Sequence, residues 1–170
     1  MFQINDYVVY GINGMCKVLD IGKPEITGID QSKLYYKLKP VISKGSIIYI
    51  PVENENKGLR RIISKEEALM LIDDILNIDT IQITNNKFRD AQYKETMKKY
   101  NCRSWITLIK TLNLEKKRKL LEGKKFGSTE TRYLHDAEEY LYSELSVPLE
   151  IPKEEVEDFI SNRLHKFNVI

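Results

Sequence analysis

Residues 58–76, which read GLRRIISKEEALMLIDDIL, contain the point at which the periodicity of the chain changes. A short run rich in apolar and β-branched side chains follows Gly58, and this predicts a strand over residues 59–63. Ser64 and Glu67 then have the spacing of a capping box, in which each side chain accepts a hydrogen bond from the other residue's backbone amide. We therefore expect a helix from Ser64 to about Leu76, and with it a change from β structure to helical structure.

The residues before this point are predicted to form a small antiparallel β-domain. Ile48, Ile50 and Val52 alternate with other residues, so they share one face of a strand. Five such short runs are separated by turn signals rich in glycine and proline, and this spacing favours a small barrel or a strongly bent sheet. The predicted strands cover residues 6–10, 15–21, 33–39, 46–52 and 59–63.

The residues after this point have a helical period. Ser128 is the predicted cap of a fourth helix, and Pro152 is the predicted first residue of a fifth. Two further helices are expected between the first and the fourth, at residues 87–100 and 103–122, and residues 77–86 are expected to form a linker. The predicted fold class is α+β, with a β-domain at residues 1–63 and a five-helix domain at residues 64–170.

Composition excludes several classes of protein. The chain has 170 residues, of which 42% are hydrophobic, so a packed core is expected rather than global disorder. No apolar run reaches the length of a membrane span, and the first residues lack the layout of a signal peptide. Cys16 and Cys102 are far apart and form no CxxC motif, which favours free thiols in a reducing compartment. We expect a cytoplasmic protein with no membrane partner.

Charge is segregated along the chain although the formal net charge is only +2. Residues 87–132 contain fourteen basic and five acidic side chains. The segments on either side are acidic, with net charges of −4 for residues 64–86 and −6 for residues 133–170. Residues 1–63 have a net charge of +3. A basic block flanked by acidic segments is a candidate surface for nucleic acid.

The third predicted helix carries much of this basic block. Arg103, Lys110 and Lys117 are seven residues apart and should lie on one face, and Lys124 and Lys125 follow the end of the helix. Two interpretations stay open for this stripe. It contacts phosphates by releasing counterions from DNA, or it is a solvated face whose last cations favour the helix dipole.

The sequence contains no recognisable catalytic or metal-binding pattern. His135 and His165 are the only histidines, and they form neither HxxxH nor HExxH. A GxxG motif at residues 11–14 joins two predicted strands rather than two helices, so it is not a KH loop. Trp105 shares its helical register with Leu108, Ile109 and Leu112 and is expected in the core. We therefore expect no enzyme activity, no cofactor, no metal and no small-molecule substrate.

Both halves of the chain contain short sequence motifs. The N-terminal half has F-x-x-x-D-x-V-V-Y-G-x-x-G at residues 2–14, Y-Y-x-L at 35–38, I-Y-I-P-V-x-N at 48–54 and G-L-R-x-I at 58–62. The C-terminal half has I-K-T-L at 109–112, G-K-K at 123–125, E-x-R-Y-L at 130–134, L-Y-x-E-L at 141–145 and I-P-K-E-E-V at 151–156. With these motifs in this order over nearly its whole length, the chain resembles the CarD/CdnL family of bacterial transcription regulators.

The resemblance implies a Tudor-like N-terminal domain that binds the β subunit of RNA polymerase through the strand ending in the I-P-V motif. An edge strand with unpaired backbone groups can pair with a strand of a partner. The residues that it implies for this contact are Ser46, Ile47, Tyr49, Pro51 and Lys37. Many relatives have arginine where this chain has Tyr49, so we expect an aromatic contact here rather than a charge pair.

The resemblance also implies that the helical domain contacts promoter DNA without sequence specificity at the upstream edge of the bubble. The residues expected to contact DNA are Lys94, Phe88, Arg103, Lys110, Lys117, Lys124, Lys125 and Arg132. Relatives insert a tryptophan into the minor groove from the region that corresponds to residues 80–89, and this chain has none there. Phe88 is the expected substitute, and Ile81 and Ile83 are weaker candidates.

The sequence and the resemblance together predict a transcription regulator that stabilises the open promoter complex. Two alternatives are a protein-only adaptor on the polymerase and a stand-alone nucleic-acid-binding protein. Stabilising an open complex helps a promoter that loses it quickly and hinders one that escapes slowly, so both activation and repression are compatible with this prediction.

Overall fold

A computed structural model of the chain describes residues 1–43, 45–54 and 58–167. The chain divides into two compact units, Met1–Ile62 and Ile63–Ile170. The first unit contains an antiparallel sheet and the second contains five α-helices, so the predicted α+β class is confirmed. None of the helices formed by the described residues has both the length and the apolar character that crossing a membrane requires.

The β-domain is a five-stranded sheet in the order β4-β3-β2-β1-β5, and all its neighbouring strands are antiparallel. Its strands are β1 (Tyr7–Tyr10), β2 (Met15–Gly22), β3 (Tyr35–Pro40), β4 (Ile48–Pro51) and β5 (Leu59–Arg61). The five predicted strands are all present. β2 and β3 change register between Val18 and Asp20, which marks an irregularity in β2.

β4 is shorter than predicted, because Ser46 and Ile47 precede it. Its pairing with β3 ends at Leu38 and Ile48. Continuing the same register would place Pro40 opposite Ser46. Proline has no amide hydrogen to donate to a ladder bond there, so the pairing stops before this position.

The β core lies on one face of the sheet. The buried side chains that form it are Val8, Cys16, Val18, Tyr36, Leu38, Ile50 and Leu59. Ile48 and Val52 pack against them, so the predicted shared face of Ile48, Ile50 and Val52 is confirmed. Phe2 closes one end, where its ring meets Tyr36 edge-on at 6.0 Å and its amide donates to the Tyr36 hydroxyl at 3.0 Å.

The helical domain consists of α1 (Lys65–Asp73), α2 (Arg89–Met97), α3 (Cys102–Leu121), α4 (Ser128–Leu149) and α5 (Val156–Phe167). The capping box is confirmed, because the Ser64 amide donates to Glu67 at 2.8 Å and the Glu67 amide donates to the Ser64 hydroxyl at 3.2 Å. The prediction that Ser128 caps the fourth helix is wrong: Gly127 has the extended backbone of the N-cap residue, with a ψ of 157°, and Ser128 is already the first residue of α4. Other boundaries also differ from the prediction. α1 ends at Asp73 before a 3-10 turn, α2 ends at Met97 rather than Tyr100, and α5 begins at Val156 rather than Pro152.

The reasons for these differences are local. Tyr100 has a φ of 48°, which is left-handed and incompatible with continuing α2. Pro152 has an extended ψ of 146° and precedes a 3-10 turn, Lys153–Glu155. The proline therefore caps this turn, and the α-helix starts only after it.

α3 supplies the centre of the helical core. Trp105, Leu108 and Leu112 are buried, as their spacing predicts, and Ile109 is half-buried. The Trp105 ring stacks on Tyr140 of α4 with 5.4 Å between the ring centroids. Glu144 of α4 is fully buried and accepts a hydrogen bond at 3.0 Å from the amide of Ile63. This bond ties the first residue of the helical domain to its core.

Candidate interaction surfaces

β4 forms one edge of the sheet, since β3 is its only partner among the described strands. The amide of Val52 donates to the carbonyl of Leu34 at 2.9 Å, which fixes the alternation of hydrogen-bonded pairs along the ladder. By that alternation the amide and carbonyl of Tyr49 point away from β3, toward the open edge. Pro51 occupies the next outward position, where its missing amide hydrogen leaves the ladder with β3 intact.

The residues predicted to bind the polymerase lie together at this edge. Tyr49 and Lys37 are directly opposed in the β3–β4 register, and Ser46 and Ile47 precede β4 with exposed side chains. Tyr49 is half-buried and so is Pro51. The structure therefore brings all five residues into one region of the β-domain.

A groove beside this edge was not predicted from the sequence. It has a volume of about 400 Å³, and Tyr35, Lys37 and Tyr49 line it from β3 and β4. The loop after β2 forms another wall with Pro24 and Ile26. This loop follows the register change in β2 and has no periodic pattern, so no sequence signal places it over the strands.

Two members of the predicted basic stripe on α3 are engaged within the helical domain. Arg103 forms an ion pair with Asp74 at 3.0 Å. The Lys110 ammonium donates to the carbonyls of Ile75 at 2.8 Å and Leu76 at 3.2 Å, and it also contacts the Ile78 carbonyl. Both side chains therefore hold the segment that follows α1. The prediction that Arg103 and Lys110 contact DNA stays a prediction, and this arrangement provides a structural role for each.

Another part of the basic block forms a charged cluster that joins three helices. Glu130 at the start of α4 is only 5% exposed and binds Arg89 of α2 at 2.7 Å and Lys119 of α3 at 3.3 Å. Glu115 of α3 binds Arg118 at 2.7 Å and Arg89 at 3.6 Å. These cations are neutralised by carboxylates of the same domain, so they hold the helices together.

The pKa values of the two carboxylates reflect this pairing. A hydrogen bond from Arg118 lowers the pKa of Glu115 below its usual value. Burial works to raise the pKa of Glu130, but hydrogen bonds to its own backbone amide and to Lys119 outweigh burial, and the net shift is downward. Both groups are therefore ionised at neutral pH, as ion pairing requires.

The other predicted DNA-contacting cations are on the surface. Lys94, Lys117 and Lys125 are exposed and make no ion pair with any other described residue. Lys124 pairs with Glu122 at 2.8 Å and remains 67% exposed in its side chain. Arg132 is exposed with its guanidinium 5.5 Å from the centre of the Tyr133 ring.

Phe88 is 61% exposed and ends the 3-10 turn that leads into α2. The turn is capped by the side chain of Asn85, which accepts from the Lys87 amide at 2.9 Å. Ile81 and Ile83 are half-buried. An exposed aromatic ring on a defined turn is compatible with the predicted role of Phe88 as the wedge, which stays a prediction.

The described residues contain no group of three or more His, Cys, Asp or Glu side chains placed to hold a metal ion. Burial raises the pKa of the Cys16 thiol to about 12, which disfavours the reactive thiolate. Cys102 is also buried, and His135 is exposed on α4.

The described strands form a small antiparallel sheet with an open edge at β4, and a strand of a partner protein can be added to such an edge. Residues 2–63 match the family model of the CarD-like/TRCF RID domain. The β-domain of this chain is therefore a CarD-like RNA polymerase-interacting domain, and the match ends one residue before the capping box of α1. The comparison with curated proteins finds no match for the chain.

Proposed function

We propose that the protein is a transcription regulator that binds the β subunit of RNA polymerase and contacts promoter DNA near the upstream edge of the bubble, stabilising the open complex. The observation that carries this proposal is the polymerase-interacting domain with β4 at the edge of its sheet. The protein acts by binding alone, and both of its contacts are non-covalent.

The polymerase contact is strand addition at β4. The outward amide and carbonyl of Tyr49 offer one hydrogen-bonded pair to an incoming strand, and main-chain bonds of this kind supply affinity in strand addition. The side chains of Ile47 and Tyr49 lie beside that strand, and Lys37 of the neighbouring β3 adds a cation next to Tyr49. These side chains provide the specificity that main-chain bonds lack.

The DNA contact is made chiefly by Lys94, Lys117 and Lys125. Their exposed ammonium groups have no carboxylate partner among the described residues, so phosphate does not have to displace one. Such contacts are weak and independent of sequence. Weak contacts are sufficient here, because binding to the polymerase raises the effective concentration of the helical domain at the promoter.

A protein-only adaptor on the polymerase is the second candidate function. It is favoured by the internal pairing of Arg89, Arg103, Lys110, Arg118 and Lys119, because that pairing gives much of the basic block a structural purpose. The two functions differ in whether the remaining exposed lysines matter for promoter opening.

The strand-addition contact is tested with Tyr49→Pro and Tyr49→Ala, measured as binding of the full chain to the isolated lobe of the polymerase β subunit. Proline removes the outward amide hydrogen without removing a bond to β3, and edge strands tolerate proline at such positions. We expect Tyr49→Pro to weaken binding by at least about tenfold more than Tyr49→Ala, which keeps that amide. Equal binding by the two variants, with unchanged melting temperatures, contradicts strand addition at Tyr49.

The DNA contact is tested with the double variant Lys94→Glu/Lys117→Glu, measured as promoter opening by the cognate polymerase. We expect the effect of the protein on the open complex to be lost while binding to the β lobe is retained. The matched control is Lys39→Glu/Lys65→Glu, which makes the same change in net charge at exposed positions outside the basic block. If the first variant still stabilises the open complex, the protein-only adaptor is the correct function.

A further inference from the structure

A polar pocket lies between α2 and α3 on the domain that we propose contacts DNA. Its volume is about 260 Å³, which is below the usual range for small-molecule sites and leaves room for a group the size of a nucleobase. The side chains that line it include Gln92, Glu95, Lys99, Ser104, Thr107 and Ile81. An amide, a carboxylate, an ammonium and two hydroxyl groups therefore surround a space with one apolar wall, and the hydroxyl of a third lining residue, Thr96, already donates to the Gln92 backbone carbonyl at 2.9 Å.

The hydrogen-bonding capacity of these groups is largely unused. The side-chain oxygen of Gln92 is shielded from solvent and has no partner among the described residues. The amide nitrogen of Gln92 makes a single long bond, at 3.5 Å, to the Gln82 carbonyl. The hydroxyls of Ser104 and Thr107 form no hydrogen bond with another described residue. A shielded acceptor without a donor is costly, so a rotation of the Gln92 amide that turns this oxygen toward the pocket is favoured by a ligand with an N–H group that can bind it.

The charge around the pocket indicates where the rest of such a ligand lies. Lys99 lines the pocket and is exposed, and Lys94 and Lys98 are exposed on α2 and at its C-terminal cap. If the phosphates of a nucleic-acid strand bind along these ammonium groups, the bases of that strand lie close to the neighbouring pocket. Only an unpaired base can turn into it, because a base inside a duplex is held in the stack and must lose its pairing and stacking before it can enter a pocket.

We propose that this pocket binds an unpaired base that carries an exocyclic amino group, from the single-stranded DNA at the edge of a melted region. The amino group donates to the Gln92 oxygen and to Glu95, the hydroxyls of Ser104 and Thr107 complete the recognition of the base edge, and Ile81 contacts the base face. Lys99 binds the adjoining phosphate. This inference rests on the DNA contact proposed above and adds a base-selective site to it.

The test measures fluorescence anisotropy of the full chain with labelled DNA forks that share one duplex and differ in the single-stranded arm. Deoxycytidine and thymidine arms are close in size, and only cytosine carries an exocyclic amino group; an arm of abasic residues has no base. We expect the deoxycytidine fork to bind about tenfold more tightly than the other two forks, since one well-formed base contact provides discrimination of this size.

Gln92→Leu should reduce binding of the deoxycytidine fork to the level of the thymidine fork and leave affinity for the plain duplex unchanged. Thr107→Val, which removes a hydroxyl at nearly constant volume, should reduce the preference in the same direction. Gln82→Leu is the matched control: its side chain is exposed, and the backbone carbonyl that meets Gln92 is retained, so it should behave as the unmodified protein.

The outcomes separate this inference from the proposed function. Equal affinity for all three forks, together with normal duplex binding, overturns the base site and leaves the DNA contact standing. A cytosine preference that survives Gln92→Leu, in a variant that melts normally, also overturns it. If neither forks nor duplex bind at low salt, the DNA contact itself is wrong and the base site is overturned with it.

Discussion

Individual basic residues of this protein have different tasks although they look alike in sequence. Lys110 and Lys117 are seven residues apart on α3. The ammonium of Lys110 binds the backbone carbonyls that follow α1, whereas Lys117 is exposed and has no ion-pair partner among the described residues. One lysine satisfies the polar groups of a turn, and the other presents its charge to solvent.

We predict that Lys110→Met and Lys117→Met impair different properties of the protein. Lys110→Met should lower the free energy of unfolding by about 1–2 kcal/mol, because the turn carbonyls lose a charged donor. Lys117→Met should leave stability within about 0.5 kcal/mol and weaken binding to duplex DNA. Urea unfolding and DNA titration of both variants make the comparison. Equal stabilities of the two variants would show that the contacts of Lys110 with the turn contribute nothing.

At the scale of elements, the start of α4 is organised around a glycine and a buried carboxylate. Gly127 is the N-cap residue, and a β-carbon added to it would lie 2.1 Å from a carboxylate oxygen of Glu130. Glu130 is the residue that joins Arg89 of α2 and Lys119 of α3. The small size of Gly127 therefore allows the ion pairs that fix α2 against α3 and α4.

The corresponding prediction concerns Gly127→Ala. The new methyl group must displace the Glu130 carboxylate from Arg89 and Lys119, so we expect a loss of about 1–3 kcal/mol in the free energy of unfolding. Gly22→Ala is the matched control, since nothing lies within 4 Å of the added carbon and its φ is not left-handed. A Gly127→Ala variant that is as stable as Gly22→Ala contradicts the tight packing of this carboxylate.

At the scale of the whole molecule, two compact units are joined in one chain, and the proposed function needs both. The β-domain carries the polymerase-interacting fold and the helical domain carries the exposed lysines. Linking two weak contacts raises the affinity of each for its neighbouring site without any new contact. The isolated protein is therefore expected to bind DNA weakly and with strong dependence on salt.

The salt dependence provides a count of phosphate contacts. For duplex DNA, the slope of log affinity against log salt concentration falls by about one for each phosphate-contacting lysine that is removed. We predict that the triple variant Lys94→Met/Lys117→Met/Lys125→Met reduces the slope by about 2–3, measured by anisotropy over a range of salt concentrations. Removing Lys39 and Lys65 in the same way should change it little. A triple variant with the original slope would show that these lysines do not contact phosphate.

Local patterns by themselves determined the two-part α+β organisation. The capping box at Ser64, the alternation of Ile48 and Ile50 and the helical spacing around Trp105 are properties of neighbouring residues, and the structure confirms each of them. The resemblance carried by the N-terminal motifs is likewise confirmed by the family match over residues 2–63. Short-range periodicity was enough to predict these helices and strands, because the spacing of apolar residues decides which face of each element is buried.

Only the tertiary structure decided which charges are available and where sites form. Glu130 and Arg89 are distant in the sequence, as are Lys110 and the carbonyl of Ile75, and no local spacing predicts that they meet. The pocket around Gln92 and Thr107 likewise needs α2 to pack on α3. Ion pairs and pockets depend on distances between side chains from separate elements, and those distances are set by the packing of the folded domain.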